Sequence, residues 1–161
     1  MLIPFYLNAT KNNNGLGLEE IWMMTDEELE NDHEIVQWVF PTREESNFNP
    51  EAPLLKNVDI QLWNANPQLI DNLRTSFNRY LKLFGLKYEE GKIADTDMKD
   101  VWKYPNHNWM RVTRILNSLK TLGLTEESEA FYDFLKVRFK DATGLAKQSF
   151  SCWKGVMEDE V

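Results

Sequence analysis

Residues 66–85, NPQLIDNLRTSFNRYLKLFG, constrain the fold more than any other stretch of the chain. Leu69, Ile70, Leu73, Phe77, Tyr80, Leu81 and Phe84 recur at helical spacing and draw one continuous apolar stripe. Asn66 reads as the cap and Pro67 as the first helical residue, where its missing N–H costs nothing. Gly85 is the stop. A helix with this stripe can touch neighbours on both sides, so it is expected at the centre of the molecule.

The rest of the chain supplies further helices. Thr25 followed by Glu28 forms a capping box, and Asp26, Glu27 and Glu28 complement the helix dipole. Leu29, His33, Val36 and Phe40 then predict a single helix running to Pro41, which cannot continue it. Residues 41–56 carry three prolines and read as a loop ordered by Phe48, Leu54 and Leu55. A short helix is expected over 57–63, and a polar loop around Gly91 over 86–94. Asp95 or Thr96 would cap a short helix bearing Met98, Val101 and Trp102, ended by Pro105. A helix from Asn106 or Asn108 to Leu122 turns Trp109, Val112, Leu116 and Leu119 inward, with Gly123 as its stop. Thr125 opens another helix with Ala130, Phe131, Phe134, Leu135 and Phe139, and Thr143 a last one through Phe150 and Trp153. The expectation is all-α: one domain over 1–161, a compact bundle of about six or seven helices.

Bulk properties remove whole classes of function. The hydrophobic fraction of 42% with 12% aromatics excludes intrinsic disorder. The net charge of −8 is unevenly placed. Residues 1–55 hold Lys11 and Arg43 against eleven acidic side chains, a balance of −9, and the remainder stands at +1. Nucleic acid would be repelled over a third of the chain, and no basic stripe compensates. A cationic partner would be attracted. Cys152 is the single cysteine, so neither an internal disulfide nor a multi-cysteine zinc site is available, and a reducing compartment is the simpler setting. No stretch approaches the roughly 18 apolar residues of a membrane span, and the N-terminus lacks a secretory pattern. A cytoplasmic protein is expected.

The catalytic inventory is thin. His33 and His107 are the two histidines, and no second His falls at metal-ligand spacing. Nucleophile-elbow and phosphate-cradling glycine motifs are absent; GLGLEE at 15–20 lacks the third Gly and a preceding strand. ADTDMKD lacks the Gly and the closing Glu of a calcium loop. Neither metal nor cofactor is expected. His33 and Gln37 lie four apart, and His107, Arg111 and Arg114 share one side of their helix or its start. For each histidine a packed or ligand-contacting role stays open, and for each arginine an ion pair or a carboxylate fork.

Two segments carry a family pattern. LENDHEIVQWVFPTREESNFNPEAPLL and, later, HNWMRVTRILNSLKTLGL resemble the conserved N-terminal region of the opioid growth factor receptor family. FYLNATKNN at the start and LKLFGLKYEEG after the long helix also fit, so the resemblance covers most of residues 5–140 as a short stand-alone domain. It implies relation to a receptor for the pentapeptide Met-enkephalin that restrains cell growth and associates with nuclear and perinuclear membranes. By position the family blocks fall on His33, Gln37, Trp38, Phe40, Pro41, Arg43 and Glu44, then on His107, Asn108, Arg111, Thr113 and Arg114.

Three functions are compatible with these residues. The first is a non-enzymatic binding module for a short peptide or small amphipathic ligand. Trp38 and Trp109 would form its aromatic wall, and the acidic third would receive an amine. Arg111 or Arg114 would take a carboxylate, with His33, Gln37, Arg43, Glu44, His107 and Asn108 as further contacts. The second is a domain that meets a protein partner through its surface. The third is an enzyme of unrecognised class using His33 or His107 as a general base. The binding module is the leading expectation.

Overall fold

The long stripe folds as expected. In a computed structural model, which describes residues 1–46, 49–97 and 99–159, the chain divides into two compact units, Met1–Leu83 and Phe84–Val161. The first contains helices α1 (Leu2–Tyr6), α2 (Leu18–Trp22), α3 (Asp26–Asn31), α4 (Ile35–Val39), α5 (Asn57–Ala65) and α6 (Pro67–Leu83). The second contains strands β1 (Leu86–Glu89) and β2 (Lys92–Asp95), a single 3-10 turn (Asp100–Trp102), and helices α7 (His107–Thr121), α8 (Thr125–Arg138) and α9 (Gly144–Glu158).

In the first unit α6 packs against α2, α3 and α5 and buries Leu69, Leu73, Phe77, Tyr80 and Leu81. Rings fill the space around it. Tyr6 lies 4.6 Å from Trp63, Phe40 5.2 Å from Tyr80, and Phe5 5.2 Å from Trp38. A polar chain runs through this core. Tyr6 Oη sits 2.7 Å from Val39 O and 2.8 Å from Ser76 Oγ, and Trp22 Nε1 donates to Ser76 Oγ at 2.8 Å. The phenol has one proton and a carbonyl can only accept, so Tyr6 donates to Val39 O and the Ser76 hydroxyl donates to Tyr6. Every link is thereby satisfied, as a buried polar network must be.

The second unit is an aromatic cluster under α7, α8 and α9. Phe139 stands 5.1 Å from Trp109 and 4.9 Å from Trp153. The three indole N–H groups all find carbonyls: Trp102 donates to Phe84 O at 2.9 Å, Trp109 to Val101 O at 2.6 Å and Trp153 to Trp109 O at 3.2 Å. The inward positions expected on α7 are all buried, with Ile115 added to them. Cys152 is exposed on α9.

The molecule is mostly helical, but several expectations need correction. The described residues form nine α-helices rather than six or seven, and the fold is not purely all-α. The expected loop at 86–94 is an antiparallel hairpin, with Leu86 opposite Asp95 and Glu89 opposite Lys92. Glu90 (φ 51°) and Gly91 (φ 79°) make its two-residue turn, both in the left-handed region that such hairpin turns require.

The helix expected from Thr25 to Phe40 is broken in two. Asp32 is extended, and its Oδ1 accepts from Glu34 N at 2.9 Å and Ile35 N at 3.1 Å. A short acidic side chain competing for backbone donors in this way ends one helix and starts the next. Leu29 and Val36 are both buried, though from different helices, and His33 lies exposed in the link. Among the expected helix and loop anchors, Phe48 and Met98 lie outside the described residues.

Candidate functional site

The ten residues expected to form a site fall five in each unit. In the first unit, Gln37 is buried and its Nε2 donates to Ser46 Oγ at 2.9 Å, tying α4 to the loop after it. Trp38 is 7% exposed and packs edge-on to Phe5. Arg43 is exposed, with Nη1 donating to Asn57 Oδ1 at 2.7 Å at the start of α5. Glu44 is exposed, and the Thr42 hydroxyl donates to its backbone oxygen at 3.3 Å. Because α4 begins at Ile35, His33 and Gln37 do not share a helix face.

In the second unit, Asn106 caps α7 by accepting from Asn108 N at 2.9 Å, and His107 stands exposed on the first turn. Arg111 is 5% exposed, and its Nη1 donates to the buried Asn108 Oδ1 at 2.9 Å. This pair is built into the first turn of α7. Arg114 is half-buried, and Trp109 is 4% exposed with its N–H taken by Val101 O. Trp38 and Trp109 are therefore core rings, and among the ten only His33 lines one of the two grooves described below.

The first groove opens where α3 meets α4. Glu27, Glu28, Asn31, Asp32, His33 and Glu34 line about 580 Å³. Four of the six are carboxylates, in a unit that holds thirteen acidic against six basic side chains. The loop before α2 reaches this wall through Asn14 Nδ2, which donates to Glu34 Oε2 at 3.1 Å. Such a surface favours an ammonium or guanidinium group. Among the described residues no group of three or more His, Cys, Asp or Glu side chains is arranged to hold a metal ion.

The second groove lies beside the first turn of α3 and was not anticipated. Trp22, Met23, Met24, Thr25, Asp26, Arg79 and Lys82 line about 480 Å³. Arg79 reaches across from α6 to the end of α2. Its Nε donates to Trp22 O at 3.0 Å, its Nη2 to Met24 O at 2.7 Å, and its Nη1 pairs with Asp26 Oδ1 at 2.8 Å. The clue available in the sequence was the pair Arg79 and Lys82 beside the apolar stripe of α6. The partners of Arg79 lie more than fifty residues away, where no local pattern reaches.

The capping box that opens α3 joins both grooves to pH. Thr25 N donates to Glu28 Oε1 at 3.1 Å, and Glu28 N donates to Thr25 Oγ1 at 3.1 Å. The backbone bond first, and the Thr25 side chain second, hold the Glu28 carboxyl below its ordinary range. Its folded value is lower than its unfolded one. The contribution is thus present above the unfolded value and lost as pH falls through the folded value. The Thr25 amide proton, followed by NMR, should move toward its unstructured position on acidification, titrating below an ordinary glutamate. Glu28→Gln keeps the reciprocal bond and should abolish that titration. A Gln variant that titrates like the parent would show that another group controls this cap.

Comparison with known proteins agrees with the pattern of the two sequence segments. The opioid growth factor receptor (OGFr) conserved region matches residues 1–155. Opioid growth factor receptor-like protein 1 of Mus musculus is 31% identical over 131 residues, which cover 75% of this chain and 28% of that protein. Its counterpart in Xenopus tropicalis is 30% identical over 131 residues, covering 75% of this chain and 25% of that protein. The opioid growth factor receptor of Homo sapiens is 28% identical over 133 residues, covering 76% and 20%. The chain spans about a quarter of the length of the curated relatives it matches. No solved structure matches it. Among the described residues no helix is long and apolar enough to cross a membrane. With the match extending over nearly its whole length, the chain belongs to the opioid growth factor receptor family, through that family's conserved region.

Proposed function

We propose that the chain is a non-enzymatic binding module of opioid growth factor receptor type, and that it takes the amine of a short peptide or small amphipathic ligand in the acidic groove between α3 and α4. The observation that carries this reading is the convergence of Glu27, Glu28, Asp32 and Glu34 around His33 in one groove. The receptor names of the relatives support the same direction. Catalysis is assigned to neither His33 nor His107.

Met-enkephalin, with its amine free or acetylated, tests the reading by NMR titration. The free peptide should shift the signals of residues 27–34, and acetylation should weaken binding about tenfold, equivalent to about 1.4 kcal/mol. Glu27→Gln should weaken the free peptide and leave the acetylated one unchanged, and added salt should reduce the difference between them. Equal binding of the two peptides would remove the amine from the groove.

A second reading has its own observation. Val58 and Leu62 stand one turn apart on α5, 56% and 48% exposed. That apolar pair favours a surface that meets a protein partner, and it becomes the better account if no peptide shifts residues 27–34.

A further inference from the structure

We propose that the second groove, beside the first turn of α3, is a subsite for a carboxylate that carries an adjacent apolar group, as at the C-terminus of a peptide ending in an apolar residue. It deepens the peptide-binding reading, because α3 and its cap supply residues to both grooves: Thr25 and Asp26 to this one, Glu27 and Glu28 to the other.

The charge within the groove selects the ligand. Arg79 is nearly buried, held by two carbonyls, and paired with Asp26, so these two cancel. Lys82, exposed in the last turn of α6, has no partner among the described residues. One uncompensated ammonium is left. Beside it Met23 is 79% exposed, and Trp22 is half-buried with its N–H committed to Ser76. A thioether exposed to that degree next to a lone cation offers apolar contact and charge together.

The surroundings argue against a dianion. Thirteen carboxylates against six cations in this unit repel negative charge. Beyond roughly 8 Å that repulsion is screened at physiological salt, so a contact with Lys82 survives for a monoanion. A phosphate would carry nearly twice the repulsion and make no use of Met23. A carboxylate with an apolar neighbour uses both.

Amine-free probes separate this proposal from the preceding one. N-acetyl-methionine, N-acetyl-methioninamide, N-acetylglycine and inorganic phosphate are titrated into the full chain, with the Met23 methyl and Trp22 indole signals followed by NMR. N-acetyl-methionine should shift both signals. The amide should bind about tenfold more weakly, as expected for loss of a charge-assisted contact. N-acetylglycine should also bind more weakly, for want of apolar contact. Lys82→Gln should bring acid and amide to equal affinity, and Lys82→Arg should restore the difference. The proposal is overturned if acid and amide bind the parent alike, if Lys82→Gln leaves the preference intact, if phosphate shifts the two signals as strongly, or if no probe shifts Met23. A carboxylate preference without any effect of acetylating Met-enkephalin would leave this subsite standing and remove the amine site.

Discussion

Replacing Phe77 by alanine is expected to lower the unfolding free energy by about 3–5 kcal/mol, the range for truncating a fully buried phenylalanine. Phe77 is 1% exposed near the middle of α6, the helix that packs against α2, α3 and α5. The loss has two parts, the apolar area returned to the reference state and the cavity left behind. Ser76, next to it in the chain, is fully buried and tied to Tyr6 and Trp22, and a densely packed core limits collapse into the gap. Asn78→Ala, one position along and exposed, is the control and should stay within about 0.5 kcal/mol of the parent. Urea denaturation of both variants checks this. A Phe77 variant as stable as the parent would remove α6 from the core.

Gly85→Ala is expected to cost about 2–5 kcal/mol, combining left-handed backbone strain with overpacking. Gly85 has φ +75°, and an added Cβ would lie 2.5 Å from Lys99 Cγ and 2.6 Å from Asp97 O. The Lys99 side chain can swing away. The Asp97 carbonyl cannot move as easily, because Lys99 N donates to it at 3.1 Å, while Asp97 N and Thr96 N both donate to Gly85 O. Gly91 supplies the comparison. It has nearly the same φ, +79°, yet a Cβ there meets nothing within 4 Å. Gly91→Ala should therefore lose only the conformational part, about 1–2 kcal/mol. Equal losses at the two glycines in parallel denaturation curves would show that the close approach at Gly85 carries no cost.

Legibility differed from element to element for physical reasons. The long helix was readable because its stripe, its Asn66-Pro67 start and its Gly85 stop all act within a few residues of one another. The hairpin was not, because its strands are four residues each and its turn is Glu90-Gly91 rather than the stronger Asn-Gly signal. The break at Asp32 was hidden for a related reason. The apolar spacing across 29–40 fits one helix, and only the backbone bonds accepted by the Asp32 carboxylate reveal two.

For the candidate site, residue type alone pointed at Trp38, Trp109 and Arg111 as contacts for a ligand. The two indoles are covered by partners that local spacing cannot show, while Arg111 is taken by a near neighbour on its own helix. Phe5 covers Trp38 from 33 positions away, Trp153 reaches Trp109 from 44 away, and Asn108 takes Arg111 within its own helix.

By itself the sequence determined the family, the mostly helical class, the long apolar stripe of α6 with its start and stop, and the acidic bias of the first third. Each of these is written in local periodicity, in composition or in a pattern of neighbouring residues. Only the tertiary structure decided which polar groups are consumed and which remain for a partner. It committed Arg79 to two carbonyls and Asp26, left Lys82 open beside Met23, and gathered four carboxylates around His33. The first two outcomes turn on contacts across the fold, where packing sets the partner of each charge, whereas the carboxylates around His33 lie within positions 27–34 and are gathered by the break between α3 and α4.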